Sequence, residues 1–480
     1  MTSRRNFIKA GALAVASFYL TGCNSQFNWM LGHGYIEPLS DQLWAGTQQE
    51  LKIAHILKRI TYGIRPNDIN RVIATGDKAI TGFIETQLSP STISDIQVDL
   101  LVRRLETLRM NTPDIFEITS KQAISELRKA TIVRATYSER QLLELMVEFW
   151  SDHFNIYSEK ATCGQLKVID DREVIRPHAL GRFRELLWAT ATSPAMLVYL
   201  DGQVSNSQKP NENYARELME LHTLGIDGGY CQQDVMELAR ALTGWKVENF
   251  FWKGRVKFDD RVHDKSEKIL LGKKLKVNGN DLEQVVDCLS SHPSTARFIS
   301  RKLCHRFIGE DISEELLSKA SNTFLKTDGD ISELLKVIFY SEEFIAARPK
   351  FKRPFTYTIS ALRALGASTD GGKAIQSSLE KMGQLPFNWP TPDGYPEQAS
   401  RWNSQLLPRW NFAIELAKGR LKATTLDMEA ISKLSTLALA TGLLHRGIGQ
   451  EEVEAIDRLR SSDPESSIAL LLCLPEFQFS

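Results

Sequence analysis

Two stretches of the sequence carry side chains suited to acid–base or metal chemistry. In the first, LLELMVEFWSDHFNIY (residues 142–157), His153 falls among apolar side chains at helical spacing, so its imidazole should point into a core. Such a ring needs partners for its nitrogens, because an unpaired buried polar group costs about 1–3 kcal/mol. His153 is therefore either a core histidine that locks two helices together, or a metal ligand or general base.

The second stretch is NENYARELMELHTLG (residues 211–225), in which Glu217 and Asn213 lie on one edge of the apolar stripe and His222 on the other. A half-buried carboxyl has a raised pKa unless it is paired, which suits a general acid or a metal ligand. The alternative for Glu217 is a salt bridge to an arginine of a neighbouring helix. The catalytic hypothesis is that His153, Glu217 and His222 meet in a cleft between helices, as acid–base groups or as ligands of a divalent metal.

Four further residues are supporting candidates for this site. Asp201 ends the apolar run LVYLDG, where it could point into a cleft or cap the next turn. His178 follows Pro177 at a predicted helix start, and its alternative is an ordinary surface position. His263 and Asp264 could orient each other or simply form a turn. The sequence contains no H-E-x-x-H, G-x-S-x-G or phosphate-binding glycine motif that would name a reaction.

Aromatic residues concentrate in two segments that lack helical spacing. Long loops that carry tryptophan often bind ligands or partners, and they also often serve to fix an irregular segment to the core. The packing interpretation is favoured for both groups, which are Trp245, Phe250, Phe251 and Trp252, and then Trp389, Tyr395, Trp402 and Trp410.

These candidates lie on a chain whose apolar residues recur at helical spacing almost everywhere. In the first half the predicted helices are 51–62, 66–74, 78–88, 94–109, 119–130, 138–157, 179–191, 212–225 and 233–243. In the second half they are 281–290, 294–308, 313–325, 330–345, 355–366, 374–383, 407–420, 427–443, 450–460 and 465–474. The sequence therefore predicts a mainly α fold, a multi-helical orthogonal bundle.

Two irregular segments divide this bundle. Alternating Phe, Trp and Val residues predict a small β-hairpin insertion near 247–277, within a segment that extends to 280. It separates an N-terminal helical half (51–246), which carries the candidate site, from a C-terminal half (281–480). Within the second half, prolines interrupt every turn of 384–406, which is predicted to be a loop.

Composition excludes several classes of protein. The 480 residues are 42% hydrophobic and 25% charged, which is typical of a globular chain and not of a disordered one. Lys+Arg and Asp+Glu both number 59, so no overall positive charge favours nucleic acid as a partner. Only one apolar stretch exceeds a dozen residues, and it lies at the N-terminus, which excludes a polytopic membrane protein.

The N-terminus has the pattern of an export signal. Residues 1–22 combine Arg4 and Arg5 with a short apolar run, as in twin-arginine signals, and end in LTG before Cys23. The LTGC sequence resembles a lipobox, which predicts that Cys23 is lipidated and holds the protein on a membrane through a tether at 23–50. Because the next residue is not Asp, the outer membrane is favoured, on the periplasmic or cell-surface side. The alternative is a plain secretory signal in which Cys23 is incidental.

A series of segments resembles the domain of unknown function 1800 family. They occur in the family's order and span residues 51–480: AHILKRITYGIRP, FWSDHFNI, RPHALGRFRELL, SPAMLVYLDG, PNENYARELMELHTLGIDGGY, DVMELARALTGW, HDKSEKILLG, HPSTARFISRKLCHRF and MGQLPFNWPTPDGYP. The resemblance implies an exported bacterial protein whose gene neighbours one for a phosphatase- or sulfatase-like protein. It brings no established activity or catalytic residue. This chain has FWSDHF where FWHNHF is frequent in the family, so Asp152 replaces a histidine.

Two functions from different classes follow. The first is a lipid-anchored hydrolase or metal-assisted enzyme that acts on envelope or extracellular material, with its site at the residues named above. The second is a non-catalytic envelope scaffold that binds a co-exported phosphatase- or sulfatase-like partner.

Overall fold

Helices form most of the regular structure in this computed structural model, which describes residues 37, 46–76, 78–276 and 281–480. From the start of the described chain to the β insertion the helices are α1 (Gln48–Ile60), α2 (Asp68–Ile73), α3 (Ala79–Leu88), α4 (Ile96–Val102), α5 (Ser120–Tyr137), α6 (Gln141–His153), α7 (Cys163–Ile169), α8 (Arg176–His178), α9 (Phe183–Ala191), α10 (Pro194–Tyr199), α11 (Glu212–Glu220) and α12 (Gln232–Ala241). The predicted signal, Arg4, Arg5, the lipidation site Cys23 and most of the tether lie outside the described residues.

The helices continue after the insertion. They are α13 (Asp281–Ser290), α14 (Pro293–Phe307), α15 (Glu314–Lys326), α16 (Ile331–Phe339), α17 (Glu342–Ile345), α18 (Pro354–Ala364), α19 (Lys373–Lys381), α20 (Leu406–Ala417), α21 (Met428–Lys433), α22 (Thr436–Leu444), α23 (Gln450–Ser462), α24 (Pro464–Cys473) and α25 (Pro475–Gln478). The mainly α prediction is confirmed, and most predicted segments coincide with a helix within a few residues.

The clearest difference concerns the segment from α7 to α8. Helical backbone runs through residues 163–178, and a π-helical turn at Asp170–Ile175 joins α7 to α8. The sequence concealed this helix because charged residues interrupt its buried side: Lys167 and Asp170 form a fully buried ion pair of 2.6 Å. His178 consequently ends a helix, so the prediction that it lies at a helix start is wrong.

The β insertion consists of two very small antiparallel hairpins. In the first, β1 (Trp245–Val247) pairs with β2 (Val256–Phe258), and in the second, β3 (Ile269–Leu270) pairs with β4 (Lys273–Lys274). A third pair, β5 (Ser368–Thr369) with β6 (Thr424–Thr425), was not predicted, because two residues are too few to show alternation.

The proline-rich loop lies against the end of α6. Residues 384–398 form no helix, although short 3₁₀ turns at Ala399–Arg401 and Asn403–Gln405 lead into α20. At Gly394 (φ +72°) a Cβ atom would lie 2.0 Å from the backbone oxygen of Asp152, so only glycine fits this contact. The Asn155 side-chain amide donates to the Trp389 and Thr391 carbonyls at 2.9 and 2.7 Å, and thereby holds the loop in place.

The largest hydrophobic core draws on both halves of the chain, from Ile56 in α1 to Phe477 in α25. Between them α5 packs on α18, and α1 reaches α17 through a hydrogen bond of 2.7 Å from the His55 Nε2 to the Phe344 oxygen. Within the described part of the chain, no helix combines the length and the apolar character needed to cross a membrane.

Candidate functional site

His153 lies at the end of α6, and both of its ring nitrogens have protein partners. Nε2 is 3.0 Å from the His222 backbone oxygen and therefore carries the proton, while Nδ1 accepts a 2.9 Å hydrogen bond from the Lys302 ammonium. The buried ring lies 6.2 Å from the Phe149 ring and 4.5 Å from the Phe154 ring, between centroids. Burial and the charge of Lys302 hold the pKa of His153 well below its usual range. These are the contacts of a core histidine that joins α6 to α14 and to the end of the α11 segment.

His222 and Glu217 have fewer partners. His222 is also buried, with its ring centroid 6.0 Å from that of His153, and its Nε2 has no hydrogen-bond partner among the described residues. Burial and Lys302 lower the pKa of His222 to about 3, so it is neutral. Glu217 lies half-buried on α11, and no ion pair joins its carboxylate to a described residue. Burial and the neighbouring Glu220 raise the pKa of Glu217 above its ordinary value.

A divalent metal held by His153, Glu217 and His222 does not fit this arrangement. A metal ligand must offer a free imidazole nitrogen at about 2.0–2.1 Å from zinc, and both nitrogens of His153 are engaged in hydrogen bonds. In the ranges that the structure describes, no three His, Cys, Asp or Glu side chains are grouped so that they could hold a metal ion. We therefore derive no metal chemistry from these residues.

Asp201 and Asn213 are surface residues near the start of α11. Asp201 is exposed, has a left-handed backbone (φ 57°) and pairs with Lys160 at 2.9 Å. Asn213 is also exposed, and its backbone N–H donates to the Asn211 side chain at 2.9 Å. The Asn211 amide in turn donates to the Asp201 backbone oxygen at 2.7 Å, so this group stabilises the turn before α11.

His178, His263 and Asp264 lie elsewhere. His178 is half-buried at the end of α8, where burial lowers its pKa. His263 does not pair with Asp264; its Nε2 is 3.3 Å from Asp281, and its Nδ1 is 2.8 Å from the Thr243 backbone oxygen. The hydrogen bond to Asp281 raises the pKa of His263.

Asp264 pairs instead with Arg240, at 2.8 Å. Burial alone would raise the pKa of Asp264, but the hydrogen bonds from Arg240 and Ser266 outweigh it and lower that pKa. The two residues thus form separate ion pairs that fasten the β insertion to α12 and α13.

A network of buried ion pairs lies at the C-terminal end of α6, around Glu148 and Asp152. The Arg353 guanidinium donates to Glu148 at 2.5 Å and to Asp152 at 2.9 Å, and Arg306 joins Glu148 to Glu397 with bonds of 2.7 and 2.8 Å. Burial would raise the pKa of Glu148, but Arg353 and Arg306 outweigh it and lower that pKa. At Asp152 burial prevails over Arg353 and raises the pKa to about 7. This network, and not His153, is the charged centre of the molecule.

Glu397 also lines a cleft of about 730 Å³, which is within the usual range for ligand sites. Its carboxylate accepts 2.7 and 2.8 Å hydrogen bonds from Lys350 and Arg306, and Arg353 approaches to 3.3 Å. These cations outweigh the effect of burial and hold the pKa of Glu397 well below its usual range. Phe351 and Phe479 form an apolar wall of the cleft, with ring centroids 5.5 Å apart.

His305, in the last turn of α14, lines the same cleft. Neither ring nitrogen has a hydrogen-bond partner among the described residues, and burial together with Lys350 and Arg301 lowers the pKa of the ring. The imidazole is therefore neutral at pH 7 and able to accept a proton. Arg348 lines the cleft as well, is exposed, and forms no ion pair with a described residue.

No sequence pattern indicates His305, Lys350 or Glu397, because three separate segments contribute them and no motif joins the segments. One signal was available in the segment RKLCHR of α14, where cationic side chains recur four residues apart at Lys302 and Arg306. A cation that such a helix buries requires a carboxylate or a ligand nearby.

The two aromatic groups have different surroundings. Trp402 and Tyr395 of the proline-rich loop are buried, which agrees with the packing interpretation, whereas Trp410 in α20 is 42% exposed and does not. Phe250, Phe251 and Trp252, at the tip between β1 and β2, are 79%, 85% and 57% exposed. Packing on the core does not account for this tip.

Comparison with known proteins places the chain in one family. The model of a family described as a protein of unknown function (DUF1800) matches residues 55–479, which is most of the chain. No curated protein and no solved structure matches the chain.

Proposed function

Since the chain belongs to the DUF1800 family, whose function is unknown, we propose from its geometry that it is a hydrolase of acyl or related ester bonds in envelope or extracellular material. The observation that carries the proposal is the neutral, unpartnered His305 imidazole in a cleft of about 730 Å³. In this proposal the protein is exported and held on a membrane by a lipid on Cys23, with the outer membrane favoured.

The reaction follows from the groups around the cleft. His305 accepts a proton from water, and the resulting hydroxide adds to the carbonyl carbon of the bound ester. The exposed Arg348 guanidinium stabilises the negative charge that develops on the carbonyl oxygen. When the ester C–O bond breaks, the leaving oxygen takes the proton back from His305.

Glu397 is a positioning residue, which helps to hold His305 in the wall of the cleft. Lys350 donates to the Glu397 carboxylate and, at 3.0 Å, to the His305 backbone oxygen, so a single ammonium fixes the distance between the two residues. Lys350 donates its third hydrogen bond to the Arg306 backbone oxygen, at 2.9 Å. All three N–H groups of its ammonium therefore hold this wall of the cleft.

The test is hydrolysis of 4-nitrophenyl esters of increasing acyl length by the purified protein and its His305→Ala variant. We expect kcat/KM to fall by about 100-fold or more in the variant, which is typical for loss of a general base. His178→Ala, half-buried but outside the cleft, is the matched control and should retain full activity. Equal rates in wild type and His305→Ala would contradict the proposal.

The pH profile gives a second readout. Because burial lowers the pKa of His305 below 6.5, kcat/KM should be constant above pH 7 and fall only in acid. A rate that rose steadily between pH 7 and 10 would indicate hydroxide attack without His305.

A partner-binding scaffold is the second candidate, and the exposed tip of Phe250, Phe251 and Trp252 favours it. Large exposed aromatic groups of this kind anchor protein interfaces. The test is co-expression with the phosphatase- or sulfatase-like neighbour and size-exclusion chromatography. Phe251→Ser should dissociate a complex that Ile226→Ser, a control at a separate position with 72% exposure, leaves intact.

A further inference from the structure

Five arginines line a second cavity, of about 350 Å³. Arg134 of α5 and Arg176 of α8 form its inner wall, and Arg172 of the π-helical turn lies beside them. Arg103 and Arg109, which follow α4, stand at its rim and are exposed. Two carboxylates, Asp99 and Asp171, also line the cavity, which leaves a net charge of +3 on the lining side chains.

The buried arginines of the inner wall share one carboxylate, Asp171, whose Oδ1 also has no hydrogen-bond partner among the described residues. The buried Nη1 of Arg134 has no hydrogen-bond partner among the described residues, and its closest carboxylate oxygen, on Asp171, is 3.6 Å away. The buried Nε of Arg176 likewise has no hydrogen-bond partner among the described residues and lies 3.5 Å from Asp171. The terminal nitrogens of Arg176 donate to Glu144 at 2.7 and 3.1 Å. Buried guanidinium donors without acceptors are costly and rare in folded proteins.

The rim adds the positive charge of Arg103 and Arg109. Neither Arg103 nor Arg109 forms an ion pair with a described residue. Arg172, by contrast, is satisfied: it donates to the Leu108 and Met110 backbone oxygens at 2.9 and 2.8 Å, and so holds the segment that carries Arg109 against the cavity.

From these observations we propose that this cavity binds a tetrahedral oxyanion, the phosphate or sulfate group of a small ester. Guanidinium groups match such oxyanions with paired N–H···O bonds, and the cavity has room for an organic group attached to the anion. Asp99 and Asp171 then remain as acceptors for hydroxyl groups of that organic part. The site is separate from the cleft of His305 and does not depend on the proposed hydrolase activity.

The test is isothermal titration of the full-length protein, purified in detergent, with inorganic phosphate, sulfate and glycerol 3-phosphate. We expect saturable binding that weakens as the NaCl concentration rises. The paired rim variant Arg103→Ala/Arg109→Ala should raise Kd by about tenfold or more, since each charge-assisted hydrogen bond is worth about that factor. Arg104→Ala, exposed and adjacent but outside the cavity, should change Kd by less than about twofold.

A further variant and a vesicle-binding experiment complete the test. Arg134→Gln should abolish binding; if it does not fold, the rim variant alone decides, because its residues are exposed. Flotation with phosphatidic acid vesicles, against phosphatidylcholine vesicles, separates a lipid headgroup from a soluble ester, and binding of either supports the proposal. The proposal is overturned if phosphatidic acid vesicles do not bind and phosphate, sulfate and glycerol 3-phosphate all fail to bind at 10 mM (about the limit of a useful affinity), or if the rim variant binds as the wild type does.

Discussion

At the scale of single residues, the described histidines divide by what touches their rings. His153 was the sequence's strongest candidate, and its position in an apolar stripe was identified correctly. Whether the ring faced a cleft or a partner could not be predicted, because Lys302, which occupies its Nδ1, lies 149 residues away in the chain. The sequence does not indicate His305 either, because a side chain with no hydrogen-bond partner among the described residues produces no recognisable pattern.

Loss of His153 should affect stability and leave hydrolysis at the cleft unchanged. In His153→Leu the Lys302 ammonium and the His222 carbonyl lose their partner, so we expect the free energy of unfolding to fall by about 1–3 kcal/mol. Urea unfolding followed by circular dichroism measures this. His178→Ala should stay within about 0.5 kcal/mol of wild type, and a stable His153→Leu protein without activity would restore His153 as a catalytic candidate.

His263 should make stability depend on pH. Its hydrogen bond to Asp281 raises its pKa in the folded state, so the stabilisation is complete below the ordinary value of 6.5 and disappears as pH rises through the folded pKa. The difference in unfolding free energy between wild type and His263→Gln should therefore be larger at pH 6 than at pH 9. Thermal unfolding across this range measures it, and a constant difference would contradict the pairing with Asp281.

At the scale of elements, amphipathic spacing predicted most helices well, because packing on a core requires an apolar face. It failed where charged residues interrupt the buried face, as at Lys167 and Asp170 in α7 and the turn that follows. It also could not assign the proline-rich loop a position, since that position depends on Gly394 fitting against the end of α6.

The fit of Gly394 can be measured against a matched glycine. Gly394→Ala places a methyl group where only 2.0 Å separates it from the Asp152 oxygen, and we expect a loss of about 2–4 kcal/mol from overpacking and backbone strain. Gly419 has a similar φ of +62° but open space around it, so Gly419→Ala should cost only about 1 kcal/mol. Equal losses in urea unfolding would show that backbone strain alone matters and that the loop contact is dispensable.

At the scale of the whole molecule, the buried ion network makes folding sensitive to acid. Arg306, Arg353 and Lys350 hold the pKa of Glu397 well below 4.5, so its contribution to stability is present above pH 4.5 and is lost as pH falls towards the folded pKa. The melting temperature should drop between pH 5 and pH 3.

Glu397→Gln isolates this effect. It should lower stability at pH 7, because three cations lose a charged partner, and it should flatten the pH dependence below 4.5. Glu429→Gln removes a fully exposed carboxylate that pairs only with Lys433 at 2.7 Å, and its melting curve should follow that of wild type at each pH.

The hydrogen bond from His55 to Phe344 joins residues 289 positions apart, and Arg59 reaches the Arg348 backbone beside it. Part of the apolar face of α1 packs on residues of α2 and α3 that follow it closely in the chain. During synthesis its contacts with α17, however, form only after almost three hundred further residues have left the ribosome, which takes about 15–60 s at ordinary elongation rates. For that interval the apolar side chains of α1 that pack on α17 are exposed on the nascent chain. Contacts so distant along the chain also slow the last step of folding. We expect the newborn polypeptide to need protection by a chaperone until its second half has emerged.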